Sequence, residues 1–444
     1  MSKADAAKPQ PILSLVDGVA IMVGIVIGIG IFKTPSLIAS NVGSEAAFIG
    51  IWVFGGLITL IGALCYAELA SAEPHSGGEY HFLWRAYGPK VAILFGWARG
   101  TVIQTGAIAA VGFVLGDYAS QIFSLGPKSA AIYAALSVIG VTAFNLLGTV
   151  PGKRLQVILT SLTVVAVMAV IAAALFSVNQ APAPAAASSS SGSLGLALIL
   201  VLLTYGGWNE VAYVAAEMRN VQRDAARMLV AGTIVLTALY VFVNVAMLWT
   251  FGLEGLRASQ APGADLMRLA VGDSGAIILS LIVIVTALST INGTIFTGAR
   301  TYYALGRDLP LFRRLGVWDE RGDNPRNGIL AQGAISLLLV AAGSVSRDGF
   351  QAMVDYTAPI FWAFLFLVGL SLFILRHREP QRELPFRVPL YPLTPILFCA
   401  TCLYMLYASV TYTGYGALAG MAVVAAGLPL VFYRAKGQNS HLSH

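Results

Sequence analysis

Long apolar stretches follow one another through almost the whole chain, and a chain so patterned has few folds open to it. Twelve appear, at about residues 14–40, 44–70, 90–122, 129–148, 155–178, 193–217, 228–251, 274–304, 328–346, 352–375, 393–412 and 415–434. As helices, runs of roughly 19–33 residues are long enough to cross a bilayer core of about 30 Å. Composition agrees: 57% of the 444 residues are hydrophobic and 11% charged, against about 25% charged in soluble domains. The runs lack the strict alternation of a membrane β-barrel, which leaves helices. We therefore expect an all-α polytopic membrane protein of twelve transmembrane helices, with no soluble domain. The first thirteen residues are polar and the apolar segment after them runs too long for a cleavable leader, so no signal peptide is expected.

Orientation follows from the basic residues of the loops. With the N-terminus in the cytoplasm, inner loops and tails hold 21 of the 27 Lys and Arg. Outer loops hold Lys128, Arg257, Arg268 and Arg347, while Lys33 and Arg99 fall within spans. The loop after span eight carries Arg300, Arg307, Arg313, Arg314, Arg321 and Arg326 on this reading. Both termini are thus expected in the cytoplasm of a cell whose plasma (inner) membrane the chain crosses. The net charge of +6 faces the anionic inner leaflet and needs no nucleic acid to explain it. Cys65, Cys399 and Cys402 all lie within apolar spans, so no extracellular disulfide is expected.

Span one contains "GIVIGIGIFKTP" at 24–35, with glycines crowding the middle of a segment fit to cross as one helix. Unpaired backbone inside lipid costs several kcal/mol, so a break persists where protein or a polar cavity satisfies it. Gly24 and Gly28 also form a small-xxx-small pair, which close helix packing alone would explain. Span six is interrupted in the same way by Gly206-Gly207 in "LLTYGGWNEVAYVAAEMRN", 202–220. First and sixth spans open two units of five, and paired glycine-interrupted segments in corresponding places point to a transporter's binding site. The outer half of span one then begins near Gly28, Ile29, Gly30 and Ile31, whose free N–H groups offer a seat for a carboxylate. Free carbonyls end the inner half at Ile25 and Val26, and the outer half of span six at Leu203, Thr204 and Tyr205, next to Gly206. Those carbonyls suit an ammonium group. Together the two seats describe an α-amino acid held by backbone alone.

These residues resemble the amino acid–polyamine–organocation superfamily, and within it the light-chain-type amino-acid transporters. "IGIGIFKTP" (27–35), "YGGWN" (205–209) with "EMRNVQRD" (217–224), "AELASAEPHSGGEYHFL" (67–83) and "NGTIFTGARTYYALGRD" (292–308) carry the likeness. It implies a LeuT-type fold: an inverted repeat of five and five helices with helices one and six discontinuous, and two helices appended. The segments would be a tail at 1–13, a first repeat at 14–178, an extracellular linker at 179–192, a second repeat at 193–375, two further spans at 376–434 and a tail at 435–444. It also implies amino-acid exchange or cation-coupled uptake, with no cofactor and no enzymatic reaction. Gly28 and Gly30 match the family's carboxylate-binding glycines. Ile29 replaces a usual Ser, Leu203 replaces a usual gating aromatic, and Asn209 matches a polar position beside the pocket. Animal members link to a heavy subunit through a Cys in the loop near 121–130; this chain has none there, so a stand-alone bacterial carrier is expected.

Coupling is read from the same likeness. Thr163 stands where many relatives carry a Lys that bridges spans one and eight. With that ammonium gone, Gly24, Ile27, Ser289 and Thr290 form a candidate sodium site of carbonyl and hydroxyl oxygens. The alternative is that these hydroxyls bond their own helix carbonyls. Glu210, just inside span six, is a candidate proton carrier, or else pairs with a basic residue. Glu217 and Glu68 are read as inner ion pairs near Arg219 and Arg85, and Arg99 as close to the inner interface. Gln104, Thr105 and Tyr356 are within reach of the pocket or pack beside it. Neutral amino acids of small to medium size are the expected substrates. A channel and a non-transporting sensor of the same fold stay open; saturable uptake with trans-stimulation separates a carrier from a channel, and binding without turnover would mark a sensor.

Overall fold

The computed structural model describes residues 11–28, 30–176, 193–259, 261–346, 348–413 and 416–432. Helices dominate it. The first span is split into α1 (Leu15–Val26) and α2 (Gly30–Ala39); α3 (Glu45–Ala72) follows, then the short α4 (Glu79–Tyr87). Span three is α5 (Pro89–Ala98), a π turn (Arg99–Ile103) and α6 (Gln104–Ile122); α7 (Ser129–Asn145) and α8 (Thr149–Phe176) complete the first five spans. Span six is α9 (Leu194–Thr204) followed by a 3₁₀ helix (Trp208–Glu217). Next come α10 (Val221–Ala258), kinked at Gly252, α11 (Pro262–Val271), α12 (Gly275–Asp308), α13 (Arg326–Gly343) and α14 (Gly349–Arg378). The chain closes on α15 (Leu393–Thr413), α16 (Gly416–Ala426) and α17 (Leu428–Phe432).

Among the described residues, nine helical segments are long and apolar enough to cross a membrane, and α1 with α2, bent by 51° at their break, make a tenth. The chain is thus an all-helical, multi-span membrane protein. The fourth and twelfth apolar stretches form shorter helices, Ser129–Asn145 and Gly416–Phe432. A helix of 17 residues rises about 25 Å, short of a full hydrocarbon core, which is why twelve full spans do not all appear by length.

Two boundaries differ from expectation with consequences for charge. α12 runs to Asp308, so Arg300 and Arg307 belong to the helix and not to the loop after it. The stretch after span two is not all loop: Gly78, at φ +48°, turns the chain sharply into α4.

Capping fixes where α1 begins. The Ser14 side chain accepts from the Asp17 N–H while the Asp17 carboxylate accepts from the Ser14 N–H at 2.9 Å, a reciprocal box. α1 packs among α8, α10 and α12. Small residues set that approach: a Cβ on Gly293 of α12 would lie 2.3 Å from Ile25 Cγ1. Just before α1, Leu13 pairs with Met218 as a single parallel bridge, with Leu13 N–H donating to Glu217 O (2.8 Å) and Arg219 N–H to Leu13 O (3.0 Å). The start of span one is thereby strapped to the end of span six.

Candidate functional site

Both glycine-rich interruptions are breaks in the helix, and they lie together. α1 ends at Val26, Ile27 is extended at φ −69° and ψ 100°, and the next helix starts at Gly30. In span six the helix ends at Thr204, and Gly207 takes φ +103°, a conformation that favours glycine. A Cβ on Gly207 would also come 2.9 Å from Ile25 Cγ2. One side chain joins the two helix ends: the Tyr240 hydroxyl of α10 lies 2.8 Å from Val26 O and 3.1 Å from Thr204 O. Neither carbonyl can find an ordinary intrahelical partner at a helix C-terminus. Tyr240 was not singled out in the sequence; a tyrosine in an apolar run carries no local signal of such a role.

The other residues of the reading fall as follows. Ile25 O accepts from Thr290 Oγ1 at 3.2 Å. Around Gly28 a Cβ would meet nothing nearer than Val26 O at 3.9 Å, so the space there is open. Ile29 lies outside the described residues. Gly30 sits against Thr204, whose side chain a Cβ would meet at 3.0 Å, and Ile31 is buried. The Thr204 hydroxyl donates to Leu200 O (2.8 Å) and stands 3.3 Å from Thr34 Oγ1. Tyr205 donates to Trp52 O (3.1 Å), and Gly206 N–H to Leu203 O (3.1 Å). Leu203 is 46% exposed.

Of the four sodium candidates, Thr290 Oγ1 approaches both Gly24 O (3.4 Å) and Ile25 O (3.2 Å) on α1, and does not bond within its own helix. Ser289 Oγ is 3.1 Å from Gln156 Nε2 and 3.4 Å from Thr160 Oγ1. Ile27 donates its N–H to Val23 O at 2.9 Å. Thr163 is buried, and its hydroxyl finds no hydrogen-bond partner among the described residues.

A buried polar cluster sits under span six. Glu210 accepts from Arg99 Nη2 (2.6 Å), Gln104 Nε2 (3.0 Å) and Thr297 Oγ1 (2.6 Å). Arg99 is 1% exposed, so it belongs to the interior and not to the interface. Its guanidinium lies over the Tyr213 ring at 3.8 Å and also reaches Thr301 and Glu79. Glu79, which sequence reasoning passed over, accepts from Asn209 Nδ2 (2.7 Å), from the Tyr213 hydroxyl (2.6 Å) and from the Tyr66 hydroxyl. Gly78 makes this possible, since a Cβ there would strike the Tyr213 ring at 2.8 Å. The sequence signal was the Gly77-Gly78-Glu79 run itself: a positive-φ turn placing a carboxylate at a helix start. In the π turn the carbonyls of Gly100 and Thr101 are taken by Tyr302 and Tyr356 hydroxyls. Thr105 is buried without a hydrogen-bond partner among the described residues.

Two more carboxylates have partners other than those expected. Glu217 pairs with Arg300 and not Arg219, because Arg300 projects from α12 into the interior. Glu68 pairs with Arg376 (Nε–Oε1 2.6 Å) and accepts from Val388 N–H (2.6 Å), because the 376–392 segment folds back over the end of α3. Arg85 instead joins Glu73 and Glu379. In the turn between α3 and α4, His75 stacks on His81 of α4 at 4.3 Å. His75 Nδ1 accepts from Gly77 N–H at 2.9 Å. Burial, then the neighbouring His81 and Arg307, push its pKa down to about 4.

Comparison with known proteins agrees with this geometry. A family model described as "Amino acid permease" matches residues 13–429. The human b(0,+)-type amino acid transporter 1 is 29% identical over 415 residues, 90% of this chain and 83% of that protein. The human cystine/glutamate transporter is 25% identical over 95% of this chain and 84% of its own length. The serine/threonine exchanger SteT of Bacillus subtilis is 25% identical over 95% and 96%. No catalytic reaction is called for: the chain belongs to the amino acid permease family, as an amino-acid transporter of the amino acid–polyamine–organocation superfamily similar to the light-chain-type transporters.

Proposed function

We propose that the two adjoining breaks are the substrate seat, and that the protein carries neutral amino acids by alternating access. The α-carboxylate sits at the start of the outer half of span one, the stretch of Gly28, Ile29, Gly30 and Ile31. The α-ammonium sits against carbonyls of Ile25, Val26, Leu203, Thr204 and Tyr205, beside Gly206 and Asn209. One observation carries this reading: Tyr240 reaches Val26 O and Thr204 O with one hydroxyl, so the two carbonyl-bearing ends are neighbours. Each carbonyl keeps a second lone pair for a ligand. The relatives support it too. Their names specify different side chains, cystine and glutamate in one, serine and threonine in another, so the zwitterion is what their substrates share.

In this reading twelve spans form the LeuT-type arrangement of two inverted five-helix repeats, 14–178 and 193–375, with both termini cytoplasmic and the inner membrane of a bacterium as the site. The carrier works without a disulfide-linked heavy subunit. Leu203 gates the seat, while Thr163 and Glu210 are coupling positions. A sodium ion at Gly24, Ile27, Ser289 and Thr290 competes with Gln156 for the Ser289 hydroxyl.

Thermal stabilisation of the purified protein across the twenty amino acids tests the seat, because a ligand that binds the folded state raises its melting temperature. Neutral amino acids are expected to stabilise, and their decarboxylated and des-amino analogues to fail. Proteoliposome uptake should saturate and be stimulated by unlabelled amino acid inside. Stabilisation by the des-amino analogue equal to that by the amino acid would remove the ammonium seat, and uptake without trans-stimulation would favour a channel.

A further inference from the structure

Gly24 lies two residues before the end of α1, and it presses on polar side chains and not on apolar ones. A Cβ there would meet Thr160 Oγ1 at 2.1 Å, Gln156 Nε2 at 2.2 Å and Ser289 Oγ at 2.6 Å. Gln156 and Thr160, four apart, share one face of α8; Ser289 and Asn292, three apart, share one face of α12.

Gln156 is 1% exposed, and both ends of its amide are in use. Nε2 donates to Ser289 Oγ (3.1 Å) and Thr160 Oγ1 (3.2 Å), and Oε1 accepts from Asn292 Nδ2 (2.8 Å). Asn292 Oδ1 accepts in turn from Asn145 Nδ2 of α7 (2.7 Å), and Thr160 donates onward to Ala20 O of α1 (2.9 Å). Backbone carbonyls fix the direction of the two asparagine amides, since a carbonyl can only accept, and Asn292 Nδ2 in turn fixes Gln156 with Oε1 toward it. Val141 O faces Asn145 Nδ2 at 3.0 Å and Gly152 O faces Asn292 Nδ2 at 3.3 Å. The donors therefore run one way, from α7 through α12 and α8 to α1. At the far end Asn324, in the segment after α12, donates to Asn145 O at 2.9 Å.

We propose that Gln156 is a positioning residue for transport, holding α1 against α8 and α12 through an uncharged chain of side-chain amides. Its importance comes from burial. Removing one member of such a chain strands the others without water, and a buried group left unsatisfied carries its full desolvation cost. No member titrates, so the tether holds at any working pH. α1 cannot tilt away from α8 without breaking the link at Thr160. The part played in transport rests on reading the two breaks as the substrate seat; the tethering of α1 does not.

Gln156→Met keeps the bulk and deletes both polar ends, and Thr160→Val removes the link to Ala20 O while leaving Gln156 its bonds to Ser289 and Asn292. Hydrogen–deuterium exchange of peptides spanning 15–28 reads the tether without any transport assay. Both variants should speed exchange there at least tenfold, with peptides of α3 unchanged. In proteoliposome exchange, both should lose about tenfold in maximal rate while the substrate KM stays within twofold, because neither residue touches the seat. Should Gln156→Met fail to fold, Thr160→Val, which swaps a hydroxyl for a methyl, carries the test. Unchanged exchange of the 15–28 peptides overturns the tether. Faster peptide exchange with a wild-type transport rate, or with KM raised and maximal rate kept, overturns the positioning role.

Discussion

Arg300 and Glu217 meet in the protein interior, each side chain 1% exposed, with Nη2 2.6 Å from Oε2 and a second contact through Nε. The pair ties the end of span six to α12, three residues beyond the Thr297 that binds Glu210. The 3₁₀ helix Trp208–Glu217 is thus pinned near both ends by cations from other elements. Breaking a buried pair by removing one charge leaves the other uncompensated, at about 3–5 kcal/mol. Glu217→Gln and Arg300→Met should each lower the melting temperature strongly. The double variant Glu217→Gln/Arg300→Met should lose less than the two single losses summed, which a double-mutant cycle measures.

Tyr240→Phe tests the bridge between the two helix ends. It removes one hydroxyl shared by two carbonyls, and a neutral hydrogen bond is worth about 0.5–1.5 kcal/mol. A fall of roughly threefold to tenfold in substrate affinity is expected by titration of the purified protein, at about that energy. Affinity at the wild-type value would show that the bridge is irrelevant to binding.

Gly207→Ala meets two obstacles, the φ of +103° and the Ile25 side chain 2.9 Å from the new methyl. Strain at a positive φ alone costs about 1 kcal/mol or more for a residue with a Cβ. Transport should be lost with the protein still inserted, as judged by a monodisperse peak in detergent. Gly43→Ala, where a Cβ would meet nothing, is the matched control and should keep its rate.

The His75 imidazole supplies a pH dependence. Its folded pKa is about 4, below the usual 6.5, because burial and the neighbouring His81 and Arg307 disfavour the cation. A group depressed in this way lends its stability in full above about pH 6.5 and loses it as the pH falls toward 4. Melting temperature should therefore decline between pH 7 and 4.5, and His75→Gln should flatten part of that decline. Glu73, close by, gains in the opposite balance: burial pushes its carboxyl up, and bonds from His81 and Arg382 hold it below the ordinary carboxylate value. Its own contribution is present above about pH 4.5 and fades only below that.

Glu210→Gln separates proton carriage from structure. The carboxylate is already bound by Arg99, Gln104 and Thr297, so uptake driven by an inward proton gradient should persist in the variant while its melting temperature drops. Abolition of the gradient response with a wild-type melting curve would make Glu210 a relay.

What the sequence made legible was backbone. Gly24, Gly28 and Gly30, and Gly206 with Gly207, mark interruptions because glycine clusters in an apolar run are a local signal. Side-chain partnerships were harder to read. Arg99 and Glu210 are 111 positions apart and Arg300 and Glu217 are 83, and nothing local in either sequence names its mate. Arg300 looked like a loop residue because charge normally marks the end of a span; here an interior carboxylate lets the helix continue past it. The partnership of the Asn145, Gln156 and Asn292 amides was unreadable for a similar reason, since their mates lie on three different helices far apart in the chain.

The π turn of span three has a consequence for its register. Gln104 N–H bonds Arg99 O five residues back, one more than an α-helix uses. That surplus residue acts as a phase shift of about 100° between the stretch carrying Arg99 and the stretch carrying Gln104, and both side chains arrive at one carboxylate. Excising Gly100 would leave a more regular helix and point everything beyond it in another direction. In this segment a perfect spiral is the damaged form.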